Sequence, residues 1–365
     1  MNNPFIPVKL PIKIDYQPLL TQITKSHREI AKLDALLSQL INPQLLERTL
    51  LTKEAVMSSQ IEGTQATIND VFKYEAKGDI KQESKKDMDI QEIINYRKTL
   101  EKGVSLLDKR PISENFIKEL HRALLQSVRG HNKAPGEFRR NIVYIAKPGA
   151  PVEEAKFIPP PPTLIPELFS NLERYINSDA EHDSLVQIAV AHYQFEAIHP
   201  FMDGNGRIGR LIISLFLFDK KLLSYPYLYL SEYFEINREE YYQLLRNVSL
   251  KNEWFNWILF FLKGLEEQAK KAQILAQKIN NLYNSIDEKM PELRSVYASS
   301  FFHALFKQPI FTSRSIRKVI KFKNNQTLFD LIAKFQKADL IKELTSNQKR
   351  NKMYMFKKLI NLIQT

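Results

Sequence analysis

Residues 211–218, Leu211-Ile212-Ile213-Ser214-Leu215-Phe216-Leu217-Phe218, form a helix that is apolar on nearly every side. Such a segment has to be buried, and whatever precedes it is carried to the edge of the interior. What precedes it is His199-Pro200-Phe201-Met202-Asp203-Gly204-Asn205-Gly206-Arg207-Ile208-Gly209-Arg210, a polar turn running into the helix start. Free N–H groups and the positive end of the helix dipole favour an anion there. Gly204 and Gly206 let the backbone approach phosphate oxygens, Asn205 offers amide donors, and Arg207 and Arg210 supply planar forks suited to phosphate. His199 is the candidate general base, because imidazole titrates near neutral pH. Asp203 is the one carboxylate of the cluster, and one carboxylate with phosphate oxygens and waters is a common way to hold Mg²⁺. The expected ligand is ATP with Mg²⁺.

Composition excludes several other chemistries. The 365 residues contain no cysteine, so disulfides, thiolate nucleophiles and zinc–sulfur sites are out, and the seven histidines show no HExxH pairing. Any metal is expected on oxygen ligands. No apolar run approaches the roughly 20 residues that cross a bilayer, and the N-terminus lacks a leader pattern, so no membrane association and a cytoplasmic location are expected. The net charge of +12 is concentrated in residues 295–365, which hold 14 Lys and Arg against 3 Asp and Glu. Attraction to DNA is therefore an expectation for the C-terminal segment alone.

The fold class read from the pattern is mainly α. Residues 1–17 read as an arm, and helical spacing runs from about 18 to 109, with Gly63 closing a helix as a C-cap. A helix at 112–128 is followed by a β-rich stretch at 136–145, a turn at 147–151, a return at 155–158 and four prolines, which together predict a hairpin. Helices are expected again at 164–177 and 182–197, and from the central helix onward to about 289. The last segment spells three helices and a two-stranded wing, with 326–337 in the place of a recognition helix. A DNA contact and a protein-docking or dimerisation module are both open for it. Phe201 is expected to anchor the turn in the core, and His121 and His192 to be buried and hydrogen-bonded.

Residues 199–210 match HPFxDGNGRxxR at every specified position and so resemble the signature of the Fic (filamentation induced by cyclic AMP) family. Leu120-His121, Gly136-Glu137-Phe138-Arg139 and Tyr241-Tyr242 sit where that family keeps similar residues. Ser58-Ser59-Gln60-Ile61-Glu62-Gly63 resembles its inhibitory motif, (S/T)xxxE(G/N), in the class that carries the inhibitor at the N-terminus. The resemblance implies a helical N-terminal region over 1–110 with an inhibitory helix at about 46–63. It implies a Fic core over 111–290 with a target-docking flap at about 142–158 that includes Ile145, then a winged helix-turn-helix domain over 291–365.

It further implies that a Ser, Thr or Tyr hydroxyl of a target protein, or of the chain itself, attacks the α-phosphate of ATP, taking up AMP and releasing pyrophosphate. Tyr241 and Tyr242 would line base and ribose, although a helical Tyr pair is also ordinary core. Glu62, with Ser58 and Gly63 in its motif, would pair with Arg210 and keep the γ-phosphate from it. The alternatives carried forward are transfer of another phosphate-bearing group, removal of AMP, and a DNA-binding regulator with a Fic sensor core. A homodimer is compatible with all of them.

Overall fold

The computed structural model describes residues 3–40, 44–78, 84–126, 128, 133–146, 151–179, 181, 183–345 and 351–364. Its helices are α1 (Leu20–Gln39), α2 (Gln44–Ile61), α3 (Ile68–Lys77), α4 (Lys85–Leu107), α5 (Glu114–Leu124), α6 (Ile165–Ile176), α7 (Ser184–Ile198), α8 (Asn205–Asp219), α9 (Ser231–Ile236), α10 (Arg238–Lys251), α11 (Trp254–Asp287), α12 (Ala298–Lys307), α13 (Ser313–Ile316), α14 (Asn325–Lys337) and α15 (Lys357–Gln364). Strands β1 (Ile310–Thr312), β2 (Lys342–Glu343) and β3 (Met353–Met355) form one antiparallel sheet of order β1-β3-β2.

Two adjacent helices make the centre. In α7 every residue but Ser184 and Glu196 is buried, and in α8 every residue from Ile208 to Leu217 is, as the apolar run required. They pack on each other, with α4, α5 and α6 around them, and Trp257 of α11 donates its indole N–H to the Ala189 carbonyl of α7. Asp183 caps α7 by accepting from the Leu185 and Val186 amides, and its other oxygen meets His27 of α1 at 2.7 Å. His182, where that helix was expected to begin, lies outside the described residues. The N-terminal arm lies across the body: Asn171 of α6 both accepts from and donates to the Leu10 backbone, and Gln194 of α7 donates to the Val8 carbonyl.

Helix α2 is the strut of the fold. It packs on α4, α8 and α9 on the side of the central pair, and on α12 and α15 of the C-terminal segment. It closes as expected at a left-handed Gly63 (φ 93°), where the Thr64 amide bonds to the Ser59 carbonyl and the Gly63 amide to that of Gln60.

Two expectations change in detail. The hairpin at 142–158 is, among the described residues, a single antiparallel bridge between Ile145 and Phe157, with a 3₁₀ turn at Val152–Glu154. Ile142, Tyr144 and Ile145 are all exposed, so the first arm has no buried face to hold a longer ladder. The expected turn at 147–151 lies outside the described residues except for Pro151. At the C-terminus the two strands expected after α14 are β2 and β3, but β1 adds a third strand and α15 returns to α2 and α11. The basic turn expected between the wing strands falls at 346–350, outside the described residues. No described helix is long and apolar enough to cross a membrane.

Burial pushes the Asp183 carboxyl up, but the hydrogen bond and charge of His27 and the two capping amides outweigh it and hold it below the usual value. A lowered folded pKa contributes stability above the unfolded value, lost as pH falls through the folded one. Asp183→Ala should cost about 1–2 kcal/mol at neutral pH, with the gap narrowing below about pH 4. Chemical denaturation of both proteins at the two pH values checks this; a gap that widens in acid contradicts it.

Candidate functional site

The site is the junction between α7 and α8. His199 ends α7 in the left-handed conformation (φ 49°, ψ 59°), which costs a residue with a β-carbon about 1–2 kcal/mol. Arg139, 3% exposed, holds it there: its backbone N–H donates to the Pro200 carbonyl at 2.9 Å, its Nε to the His199 carbonyl at 2.8 Å, and its Nη2 to the Pro160 carbonyl at 2.6 Å. Phe201 is fully buried and stacks on His121 with ring centroids 3.8 Å apart, so it anchors the turn as expected. His121 Nδ1 accepts from the Gly136 amide, which leaves Nε2 to donate to the Asp203 carbonyl. Gly204 takes a positive φ of 78° and opens α8. The Asn205 side chain both accepts from the Phe201 amide and donates to the Phe201 carbonyl. Its amide thus braces the turn, and what Asn205 presents to a ligand is the free start of the helix.

The two arginines diverge. Arg207 is buried, its Nη1 on Glu92 of α4 at 2.9 Å and its Nη2 on Asp203 at 3.2 Å. Arg210 turns toward α2: its Nε donates to Ser58 Oγ (2.8 Å), and its Nη2 to the Ser58 carbonyl (2.9 Å) and to Glu62 Oε1 (2.7 Å). A β-carbon on Gly206 would lie 2.4 Å from Glu62 Oε1 and 2.9 Å from Arg210 Nη1. The carboxylate of Glu62 therefore occupies the cradle that Gly206 opens at the start of α8. Burial pushes Glu62 up, but Arg210, then Arg207 and His199, hold it below the usual range as an anion.

His199 is pushed down to about 4, first by burial and then by the charge of Arg139, against the Glu196 carbonyl and the carboxylates of Glu62 and Asp203. Its imidazole is neutral at pH 7 and able to accept a proton. Glu196, one turn earlier on α7, is pushed up to about 7 by burial, against Arg210 and with the help of Glu62, and its Oε1 has no hydrogen-bond partner.

The structure thus brings together His199, Asp203, Gly204, Asn205, Gly206, Arg207 and Arg210 with Ser58, Glu62 and Gly63. It separates the tyrosine pair. Tyr241 is 1% exposed and its hydroxyl meets His192 Nε2 at 2.9 Å, which makes it core; Tyr242 beside it keeps 47% of its surface open. His192, bonded also to the Gly209 carbonyl, is buried as expected. Ile145 stands on the flap with 40% exposure. Among the described residues no group of three or more acidic or histidine side chains could hold a metal ion.

Arg139, Glu92 and Glu196 are the residues that sequence reading missed as functional. Arg139 lies in the Gly136-Glu137-Phe138-Arg139 stretch, which was the available signal; Glu92 and Glu196 carry no local pattern.

A scan against family descriptions matches Fic/DOC family N-terminal over residues 20–105 and Fic/DOC family over residues 111–217. The chain belongs to the Fic/DOC family. It is 36% identical over 92 residues to a probable protein adenylyltransferase of Aquifex aeolicus, covering 25% of this chain and 26% of that protein. It is 40% identical over 121 residues to protein adenylyltransferase Fic of Drosophila melanogaster, covering 32% of this chain and 22% of the relative. The match thus spans about a quarter of the length of these relatives. Among solved structures it is similar to a Fic family protein from Desulfovibrio desulfuricans (TM-score 0.60, 21% identity, 96% of this chain and 98% of that one). It is also similar to Fic-1 of C. elegans (TM-score 0.53, 22% identity, 72% and 75%). Both likenesses concern the Fic fold. Glu62 falls in the first matched region and residues 199–210 in the second.

Removing Glu92 breaks a buried ion pair in this Fic core and leaves the Arg207 guanidinium to Asp203, and breaking such a pair costs about 3–5 kcal/mol. Glu92→Ala should lower the denaturation midpoint by that margin and Glu92→Gln by less; equal stability of all three proteins shows the pair is not structural.

Proposed function

We propose that the protein is a self-inhibited protein adenylyltransferase that uses Mg-ATP. The observation that carries this is the Glu62 carboxylate seated in the Gly206 cradle on Arg210: an anion of the chain itself fills a place built for an anion. Relatives named as protein adenylyltransferases support the choice of reaction. The donor set fits a nucleotide, with helix-start amides and Arg210 for phosphate, Tyr242 beside them as the open aromatic, and Asp203 for a cation. Mg²⁺ would neutralise phosphate charge from Asp203. His199 takes the proton of the target's hydroxyl as that oxygen bonds to the α-phosphorus. The bond from the α-phosphorus to the bridging oxygen breaks, pyrophosphate leaves, and AMP stays on the target. The flap, with Ile145, Tyr144 and Ile142 exposed, offers side chains for docking the target segment.

Glu62 inhibits by holding Arg210 away from the terminal phosphate. Its side chain is one-third exposed, so it leaves without crossing the core. A hydrogen bond to a charged group is worth about 1.5–3 kcal/mol, or roughly one to two factors of ten. Removal of AMP by the same site, with Glu62 orienting water, is compatible with this geometry and shows as loss of label from a modified target.

For DNA the support is thinner. Of the two lysines on α14, Lys334 donates to the Leu293 and Arg294 carbonyls, and the exposed face carries Phe329 and Asp330.

With ATP labelled at the α-phosphate, Glu62→Gly should incorporate label on the order of 10- to 100-fold faster than wild type, and adding His199→Ala should abolish it. Retention of label only from the γ position overturns the adenylyl reading in favour of phosphoryl transfer. Because burial pushes His199 down to about 4, the Glu62→Gly rate should be flat between pH 8 and pH 6, where an ordinary imidazole would lose roughly fourfold. A drop of that size would mean the base is unshifted.

A further inference from the structure

Behind α2, the fold leaves a cavity of about 180 Å³ between that helix, α11, the 225–230 segment and α15. The wall on α2 is Leu50, Lys53, Glu54 and Met57, about a quarter-turn round the helix from the stripe of Ser58 and Glu62. Two polar atoms in the lining are buried without partners: the side-chain amide nitrogen of Gln268, a residue only 6% exposed, and the Tyr229 hydroxyl. A buried polar atom without a partner calls for an explanation, and a bound group is one. Lys53, Lys271 and Lys278 line the same space. Against them stand Glu232, 3.4 Å from Lys53 and 3.7 Å from Lys271, and Glu54. The Glu54 carboxyl already accepts from Ser231 and Tyr96, and burial holds it above the usual range. Positive charge is in excess. The rest of the lining is largely apolar, and cavities of about 150 Å³ admit benzene.

We infer that this cavity binds a small organic anion, a carboxylate on an apolar body about the size of a benzene ring, and that its occupation holds α2 in the inhibitory position. The carboxylate meets Lys53 on α2 and Lys271 and Gln268 on α11, with Tyr229 beside them. Such a ligand bridges the two helices and favours the state in which they are apposed, so it stabilises Glu62 on Arg210. The regulatory half rests on the reading of Glu62 as an inhibitor; the binding half does not.

Benzoate is the probe, with benzyl alcohol as its uncharged counterpart, titrated calorimetrically into the full chain. Benzoate should bind at least tenfold more tightly than the alcohol, and Gln268→Leu should weaken it at least tenfold. Tyr229→Phe should weaken it severalfold and serves where Gln268→Leu fails to fold. Saturating benzoate should lower label incorporation severalfold in wild type and leave Glu62→Gly unaffected. No binding of benzoate at 10 mM, or equal affinity in wild type and both variants, overturns the site. Binding that leaves wild-type incorporation unchanged, where Glu62→Gly is itself faster than wild type, overturns the regulatory half. If Glu62→Gly is no faster than wild type, the inhibitory reading is what fails, and the regulatory half fails with it, while calorimetry alone decides the cavity.

Discussion

The contact between Arg210 and the end of α2 is the constraint on which the rest of the site depends. One guanidinium takes the Ser58 hydroxyl, the Ser58 carbonyl and the Glu62 carboxylate, and it stands one turn into the helix whose start attracts anions. A charge so placed has to be neutralised by something. Glu62 does so from within the chain. On the proposed reading a terminal phosphate, which carries the same charge, would take the same seat, so the two would be mutually exclusive and the contact would act as a switch.

The turn that carries His199 lies beside that contact. A left-handed histidine at the end of a buried helix is strained, and it persists because Arg139 binds its carbonyl and that of Pro200 after it. Burial and that same Arg139 charge keep the imidazole neutral. Positioning and basicity thus have one cause. Arg207 has become structural, tying α4 to the turn through Glu92 and orienting Asp203 from the other side.

Much of this was legible because it is contiguous. An apolar helix behind a glycine-rich polar turn fixes where the helix starts and what gathers there, and residues 199–210 needed no partner elsewhere to be read. Glu62 was legible only through its resemblance to a motif, since Ser and Glu four apart on a helix say nothing of an arginine 148 residues away. Glu92 lies 115 residues from Arg207, and Arg139 60 from His199, so their roles exist only in the folded chain. Asn205 was read as a phosphate donor because amides can be, but the local backbone claimed both of its ends. The single-bridge flap reflects exposed side chains that pattern alone cannot distinguish from a half-buried strand. The third strand β1 is three residues long, too short for an alternating pattern to show.

The central claim is that Glu62 and the terminal phosphates of the nucleotide compete for one seat, and calorimetric titration of the full chain tests it most directly. Glu62→Gly should tighten Mg-ATP by about tenfold, the equivalent of roughly 1.4 kcal/mol, while leaving the Kd for adenosine unchanged. Equal Mg-ATP affinity in the two proteins, or an equal gain for adenosine, would contradict it.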